Sequence, residues 1–182
     1  DKEAGLYTDL PGDATHFSLH AQCHAVIAGL LSADEGRKLM ERGMQREGIA
    51  WPTPYFQYYY FEALTRVGLE DRLIQELDTW KAFPKQGLRT PPETEDPTRS
   101  DCHAWGSHPL YHLHASVAGI RPLSSGMSRM RVAPQPGGLE SLRSEIPVEG
   151  GSVVVDLRFR GSAVSGSVSM PGSLAGEFAW GN

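Results

Sequence analysis

The sequence is poor in the residues that mark several large classes of protein. It has two cysteines, Cys23 and Cys102, which lie far apart and form no Cys-x-x-Cys pair, so neither a disulfide framework nor a zinc knuckle is indicated. It has no run of lysine or arginine, and its formal net charge is -5. The positive surface that nucleic-acid binding requires is missing, and we expect no nucleic-acid partner.

Long apolar segments are missing as well. No apolar run reaches the roughly 20 residues that a membrane-spanning helix needs, and no charged and apolar leader opens the chain, so we expect no membrane partner. The chain starts at Asp1 within the polar sequence DKEAGLYTDLPG, which we interpret as a fragment of a longer protein. The compartment stays open, with a periplasmic or secreted parent as one alternative. The 182 residues, 40% hydrophobic and 21% charged, are typical of a globular protein.

Up to about Pro122 the apolar residues recur at helical spacing. A first helix is predicted by an apolar face made of Leu19, Cys23, Val26, Ile27 and Leu30. The sequence Ser32-Ala33-Asp34-Glu35 is a capping box, in which the serine oxygen and the glutamate satisfy free backbone N–H groups at a helix start. It predicts a second helix that runs toward Gln45.

Three more helices are indicated further along. The segment TPYFQYYYFEAL from Thr53 is apolar or aromatic on nearly every side, which is typical of a buried inner helix. An outer helix is indicated by an apolar stripe, backed by charged residues, of Leu69, Leu73, Ile74, Leu77 and Trp80. A fifth helix, ended by Gly119 and Pro122, is indicated by Leu110, Leu113, Val117 and Ile120. We expect these helices to pack in antiparallel pairs.

From Met127 the apolar period changes to two, the spacing of a strand with one buried face. The alternating apolar residues are Met130, Val132, Leu142, Ile146, Val148, Val153, Val155, Leu157 and Phe159. Turn sequences such as PGG, EGGS, RGS and PGS recur among them. We therefore predict about five short antiparallel strands of a β-sandwich module over residues 127–182, after a helical domain over residues 1–123.

Several histidines have a spacing that metal sites use. Two sets are spaced by four residues: His16, His20 and His24, and His108 and His112. No glutamate follows the first histidine as zinc proteases require. In Cys23-His24 and in Cys102-His103 the two residues are adjacent in sequence, so their side chains point to different sides of a helix. We predict satisfied polar or surface histidines, no metal and no cofactor.

The loop GLRTPPETEDPTRSDCHAW carries the strongest catalytic candidate, Glu93. Its prolines stiffen the loop and forbid a helix, and function is concentrated on rigid loops that carry carboxylates. Glu93 follows two of these prolines and can activate a water molecule as a general base. The alternative is a loop glutamate without a role, and Glu95, Asp96 and Asp101 can be solvated acids or a helix N-cap.

A run of aromatic residues is the second candidate. Aromatic rings stack on the apolar faces of sugars, and tyrosine hydroxyls hydrogen-bond with ring oxygens, so these residues can line a sugar pocket. Core packing is the alternative for each ring. The residues are Tyr55, Phe56, Tyr58, Tyr59, Tyr60 and Phe61.

Three segments carry motifs in a specific order: GLYTDLPG...THFSLHAQCHAVIAGLL, GLRTPPETEDPTRSDCHAWGSHPLYHLHASVAGIRP and MSRMRVAPQPGGLESLRSEIPVEGGSVVVDL. A Gly-Leu-x-Thr-x-x-Glu loop is followed by Arg-Ser-Asp-Cys-His-Ala-Trp, then by a helix into Ala-Gly-Ile-Arg-Pro and by a β tail. Together they resemble the C-terminal part of bacterial alpha-L-rhamnosidases, glycoside hydrolase family 78. The resemblance covers nearly the whole chain.

The resemblance implies a fold and an activity. The fold is the later half of an (α/α)6 barrel over residues 1–123, in which five helices cannot close the barrel, followed by a C-terminal β-sandwich. The activity is hydrolysis of terminal alpha-L-rhamnosides with inversion, in which one carboxylic acid protonates the leaving oxygen and a second carboxylate acts as base on water. The partner is then a rhamnose-containing glycoside or polysaccharide.

The resemblance also implies site residues. Glu93 resembles the base of the family's loop, and His103 of the Cys-His-Ala-Trp motif resembles a ligand of a sugar hydroxyl. With His103 we predict Trp105, Trp51 and Tyr55 as substrate-binding residues. This chain has Thr90-Pro91-Pro92-Glu93 where similar proteins show Thr-Phe-x-Glu, which keeps the spacing of the carboxylate but changes the path of the loop.

No residue of the chain matches the general acid of the family, which we expect upstream in the parent protein. The fragment alone is therefore expected to be inactive, and the truncated barrel is expected to self-associate through its inner helix, Tyr55 to Leu64. Two alternatives stay open. One is a non-catalytic carbohydrate-binding or structural module, and the other is a histidine-rich metal protein.

Overall fold

The computed structural model describes residues 1–95 and 97–180 of the chain. The chain forms two compact units, Asp1–Pro109 and Leu110–Asn182. The first unit is mainly helical, and the second is built mainly of β-strands. Among the described residues, no helix is both long enough and apolar enough to cross a membrane.

The helical unit contains five α-helices in its described part: α1 (Leu19–Ile27), α2 (Ala33–Gln45), α3 (Gln57–Arg66), α4 (Glu70–Glu76) and α5 (Asp78–Ala82). A 3-10 helix at Phe83–Gln86 follows, and the chain then forms a hairpin of β1 (Thr94–Glu95) and β2 (Thr98–Arg99). A further 3-10 turn covers Ala104–Ser107. The predicted outer helix is therefore present as two short helices divided at Leu77.

Serine side chains fix the starts of α1 and α2. Ser18 Oγ accepts a hydrogen bond from the backbone N–H of Ala21 at 3.3 Å. Ser32 and Glu35 form the predicted capping box, and the predicted extent of this helix is confirmed. The prediction that Leu30 belongs to the buried face of α1 is wrong, because α1 ends at Ile27 and Leu30 is exposed beyond it.

Helix α3 packs against α1, α2 and α4. Its buried residues are Gln57, Tyr60, Phe61, Ala63 and Leu64. Tyr58 and Tyr59 are half-buried, so part of each ring on α3 faces solvent. Self-association of the chain stays a prediction.

A helical segment, α6 (Pro109–His112), leads into the sheet unit and continues as a π-helix over Leu113–Val117. The strands that follow are β3 (Ile120–Pro122), β4 (Arg129–Val132), β5 (Ser141–Val148), β6 (Gly151–Arg160), β7 (Ala163–Ser169) and β8 (Ala175–Phe178), with a 3-10 turn at Ser125–Met127. They form two three-stranded sheets in the orders β3-β4-β8 and β5-β6-β7.

Alternation along the strands builds the apolar core of the sheet unit. On β6 the buried residues are Val153, Val155, Leu157 and Phe159. The residues between them are half-buried or exposed, as one-sided burial of a strand requires. Met130 and Val132 of β4 are fully buried in the same cluster. The strands predicted from the period of two are present over residues 129–178.

Two features of the sheet unit differ from the prediction. Gly119 has a φ of 70° and ends the helix as predicted, but Ile120 is not helical, because it pairs with Val132 as the first residue of β3. Strand β4 pairs with β8 in parallel, with Met130 opposite Gly176, so the strands are not all antiparallel. The long connection between β4 and β8 permits this pairing, whereas a tight hairpin permits only the antiparallel one.

The division into two units falls between Pro109 and Leu110, so the residues of the predicted fifth helix lie in the sheet unit. The domain assignment at residues 1–123 and 127–182 stays a prediction. The arrangement of the helices as half of an (α/α)6 barrel and of the strands as a sandwich stays a proposal.

Candidate functional site

Glu93 is held by an arginine on the neighbouring strand. Arg99 Nε and Nη2 donate to the two carboxylate oxygens of Glu93 at 3.1 and 3.0 Å, which is a bidentate pair. The backbone N–H of Glu93 also donates to the carbonyl oxygen of Arg99 at 2.9 Å. The Glu93 side chain is 20% exposed and that of Arg99 is 73% exposed, so the carboxylate is largely covered and its partner faces solvent.

The hairpin β1–β2 brings these two residues together. Thr94 pairs with Arg99 and Glu95 with Thr98, which places Glu93 at the base of the hairpin, directly before the first paired residue. Thr94 Oγ1 donates to the carbonyl oxygen of Pro97 at 3.0 Å and closes the turn. Asp96, one of the acids of the predicted loop, lies outside the described residues.

The loop of Glu93 is bonded to the His103 segment. The backbone N–H of His103 donates to the carbonyl oxygen of Pro91 at 2.9 Å, and Thr90 Oγ1 donates to the carbonyl oxygen of Asp101. Gly106 packs on the same loop, where a Cβ atom would lie 2.7 Å from Pro91 Cβ. Because this space is too small for a methyl group, a glycine is required for the close approach.

Three of the four predicted substrate-binding residues lie together. The ring of Tyr55 is 5.6 Å from that of His103 and 6.3 Å from that of Trp105, measured between centroids. Trp105 also contacts Tyr58 and Tyr59, at 6.5 and 6.4 Å. Trp105 is 52% exposed, so these rings form an aromatic surface that is open to solvent.

The fourth predicted substrate-binding residue, Trp51, has a different environment. Its ring meets that of Tyr60 edge-on at 6.1 Å, and the guanidinium of Arg72 lies 5.9 Å from its centroid. Trp51 is 43% exposed. The structure therefore places it with Tyr60 and Arg72, and a role in substrate binding stays a proposal.

A buried layer supports the exposed rings. His108 forms a hydrogen bond between Nε2 and the carbonyl oxygen of Pro54 at 2.9 Å, so Nε2 carries the proton. Burial lowers the pKa of His108 to about 4, and the bond to Pro54 opposes this shift only in part. Trp80 Nε1 donates to the carbonyl oxygen of Gly106 at 2.7 Å, and its ring lies 5.2 Å from His108. These bonds anchor the turn that carries Trp105.

Two other histidines of the metal-like spacing, His20 and His24, pack against aromatic rings. The ring centroid of His20 lies 4.1 Å from that of Phe56, and His24 lies 5.4 Å from Phe56 and 5.7 Å from Tyr59. Burial lowers the pKa of His20, against the opposing charge of Asp9. Within residues 1–95 and 97–180, no three His, Cys, Asp or Glu side chains are grouped closely enough to hold a metal ion.

Glu95 and Asp101, the other described acids of the loop, have different surroundings from Glu93. Burial raises the pKa of Glu95, and the nearby charge of Glu76 adds to this shift. Glu76 is itself paired with Arg72, at 2.8 Å between Nη2 and Oε1. Asp101 is exposed, and no side chain caps the 3-10 turn that begins after His103. The alternative that Asp101 is an N-cap of a helix is therefore wrong.

Two residues of this site, Arg99 and Trp80, are absent from the predicted set. Arg99 was not identified because its pairing with Glu93 depends on the hairpin, although a Thr-Glu-Asp-Pro-Thr turn between the two was a usable signal. Trp80 was assigned to an outer apolar stripe, whereas its indole N–H reaches Gly106 far along the chain. No local pattern in the sequence indicates that bond.

Comparisons with known proteins identify the fold. No protein-family model and no curated protein matches the chain. Among solved structures, the chain is similar to the crystal structure of a GH78 family rhamnosidase of Bacillus sp. GL1, with a TM-score of 0.71 and 22% sequence identity. The match covers 98% of this chain and 22% of that protein, so the chain spans about a fifth of its length. The chain therefore shares the fold of one part of a glycoside hydrolase.

Proposed function

We propose that the chain is part of an inverting glycoside hydrolase that acts on terminal alpha-L-rhamnosides, and that it supplies the general base and part of the sugar pocket. The carrying observation is that Glu93, held by Arg99, stands on a loop bonded to His103, whose ring meets Tyr55. The similarity of fold to the Bacillus rhamnosidase supports this class of reaction.

In this proposal Glu93 acts as the base while it remains paired with Arg99. An ionised carboxylate has about four acceptor positions, and the two bonds from Arg99 occupy two of them. The remaining lone pairs can accept the proton of an attacking water molecule. Arg99 is then a positioning residue that fixes the direction of the carboxylate, and it takes no proton itself.

The sugar is held by the neighbouring rings. Trp105 presents an exposed indole on which the apolar face of a pyranose can stack. The hydroxyl of Tyr55 and the imidazole of His103 can hydrogen-bond with sugar hydroxyls. Trp51 is assigned to another part of the substrate, because its ring packs against Tyr60.

Inversion requires a second carboxyl group about 6.5–9.5 Å from the base, which protonates the leaving oxygen. We place this acid upstream in the parent protein. The chain alone, with half of the acid–base pair, is therefore expected to be inactive on aryl alpha-L-rhamnosides.

The test is Glu93→Gln in the parent protein, with Glu95→Gln as the matched control on the same loop. Glu93→Gln keeps the size of the side chain and removes the base, so kcat should fall by roughly 10² to 10⁴ with little change in KM. Glu95→Gln should stay within about threefold of the wild type. The reverse result would assign the base to Glu95. A kcat of Glu93→Gln near the wild-type value would reject Glu93.

Azide provides a second readout of the same assignment. In an inverting enzyme without its base, azide can replace water as the nucleophile, because it needs no deprotonation. Partial rescue of Glu93→Gln with formation of a beta-rhamnosyl azide is expected. Rescue without that product would contradict the assignment.

A second candidate function is carbohydrate binding without chemistry, and the exposed Trp105 beside three tyrosine rings favours it. Titration of this chain with L-rhamnose, followed through the indole signals in NMR spectra, tests binding by itself. Loss of binding in Trp105→Ala, combined with an unchanged kcat of the parent protein in Glu93→Gln, would favour this second function.

A further inference from the structure

The sheet unit contains a cleft of about 660 Å³ that the proposed reaction does not use. It lies where the segment before β5 runs beside the end of β6. Leu139 N–H donates to the carbonyl oxygen of Pro136 at 3.0 Å, and Phe159 N–H donates to that of Glu140 at 2.8 Å, so backbone bonds hold both walls. Pockets for small ligands range from about 300 to 1,000 Å³, and the cleft lies within this range.

One part of the cleft is a pair of stacked aromatic rings. The indole of Trp180 lies 5.3 Å from the ring of Phe159 at an interplanar angle of 28°. Trp180 Nε1 donates to the carbonyl oxygen of Ser162 at 2.7 Å, which fixes the direction of the indole and satisfies its polar group. An indole held in one orientation is a stacking surface for the apolar face of a sugar, because little side-chain freedom is lost on binding.

The cleft also contains two arginines. Arg158 and Arg160 are exposed and lie two residues apart at the end of β6, on the face opposite to that of buried Phe159. Both arginines line the cleft, which includes Trp180 and the turn after the strand end. Within the described part of the chain, neither guanidinium has a hydrogen bond or an ion pair. By contrast, Arg143 on the adjacent strand is paired with Asp156 at 3.0 Å. The acid of the cleft is Glu140, so the two cations exceed the negative charge there.

We propose that this cleft binds a saccharide that carries carboxylate groups, with Trp180 under a sugar ring and with Arg158 and Arg160 bonded to the carboxylates. The planar guanidinium matches a carboxylate with two parallel hydrogen bonds, which favours a uronic-acid sugar over a neutral one. The site lies wholly within the sheet unit and does not depend on the assignment of Glu93 as a base.

The test is calorimetric titration of this chain with trigalacturonic acid, with maltotriose as the neutral probe of the same length. We expect binding of the acidic trisaccharide at least about tenfold tighter than that of maltotriose, and weaker binding as salt is added. Equal affinity for the two trisaccharides would reject the role of the arginines. Binding of inorganic sulfate or of adenosine monophosphate as tight as that of trigalacturonic acid would reject a saccharide site.

Variants assign the binding to this cleft. The double substitution Arg158→Gln and Arg160→Gln changes only exposed side chains, and it should weaken binding of trigalacturonic acid by about tenfold or more. Trp180→Ala should weaken it by a similar factor. Arg143→Gln and Phe178→Ala, which remove an exposed arginine and an exposed aromatic ring elsewhere in the unit, are matched controls and should stay within about twofold. Equal losses in the controls would contradict the proposal.

The outcome is separable from the proposed hydrolase function. Glu93→Gln and His103→Ala should leave the affinity for trigalacturonic acid unchanged, because both residues lie in the helical unit. If trigalacturonic acid does not bind, the cleft proposal fails while the base assignment stands. If it binds and Glu93→Gln leaves kcat unchanged in the parent protein, only the hydrolase proposal fails.

Discussion

Different kinds of hydrogen bond stabilise the helical unit and the sheet unit, each within itself. In the sheet unit, β6 is paired along nearly its whole length with β5 on one side and β7 on the other. In the helical unit, the segments around Glu93 and Trp105 have little regular structure, and single side chains such as Trp80 and His108 bond to their backbone. The site therefore depends on a few replaceable side chains, whereas the sheets depend on backbone geometry.

The largest effect is expected where the backbone of the sheet unit is most crowded. Gly119 and Gly126 both have a φ of 70°, but a Cβ at Gly119 would lie 1.9 Å from Ala133 O, and one at Gly126 would meet nothing within 4 Å. Gly126→Ala should lower the free energy of unfolding by about 1 kcal/mol, from the backbone conformation alone. Gly119→Ala should lower it by about 4 kcal/mol, because β3 and β4 must also move apart.

Urea unfolding followed by far-ultraviolet circular dichroism measures both glycine variants. Equal effects of the two substitutions would show that β3 and β4 can move apart at little cost in free energy. The sheets would then not depend on backbone geometry more than the helical unit does.

A smaller effect is expected from the buried histidine of the helical unit. Because the pKa of His108 is about 4 in the folded chain and 6.5 in a model peptide, the unfolded chain binds more protons between these pH values. The contribution of His108 to stability is complete above about pH 6.5 and is lost as the pH falls toward 4, by roughly 3 kcal/mol in total.

His108→Gln keeps an amide N–H for the carbonyl oxygen of Pro54 but cannot titrate. Urea midpoints at about pH 7 and about pH 4.5 should therefore differ less for this variant than for the wild type. The same pH dependence in both proteins would assign the acid sensitivity to other groups.

The start of α2 tests a local contribution in the helical unit. Ser32→Ala removes the side chain that accepts from Glu35 N–H, and it should lower the free energy of unfolding by about 1 kcal/mol. Ser107→Ala, an exposed serine of the same unit, is the control and should change it by a few tenths of a kcal/mol. A cap effect no larger than that of the control would mean that tertiary packing alone holds this helix end.

The smallest effect is expected on the surface of the sheet unit. Arg143 and Asp156 form an ion pair in which both side chains are well exposed, at 66% and 43%. Arg143→Ala should lower the free energy of unfolding by less than about 0.5 kcal/mol, and added salt should reduce the difference. A loss above about 1 kcal/mol in urea unfolding would show that side-chain pairs matter in the sheets as they do around Glu93.

Much of the fold follows from short-range patterns. The start of α2 could be predicted because a capping box is complete within four residues, and β6 because its alternation depends only on the next residue but one. The strand position of Ile120 and the parallel pairing of β4 with β8 could not be predicted, because each depends on a partner distant in sequence.

The candidate site divides in the same way. Glu93, His103, Trp105 and Tyr55 could be identified from their residue types and motifs, and the structure brings the last three together. Arg99 is not marked by its residue type, because its side chain reaches Glu93 only once the hairpin has formed, and the turn sequence between them is the only local signal of that pairing. The different environment of Trp51 was hidden for a similar reason, since Arg72 approaches it from α4.

The two cysteines differ in a way that has a practical use. Cys23 is buried, and burial raises the pKa of its thiol to about 12, whereas Cys102 is exposed and directly precedes His103. Because the thiolate is the reactive form, a maleimide reagent near neutral pH should attach to Cys102 and leave Cys23 unmodified. The natural chain thus has a single labelling site for a spin or fluorescent probe, in the same segment as Trp105, and no cysteine needs to be engineered.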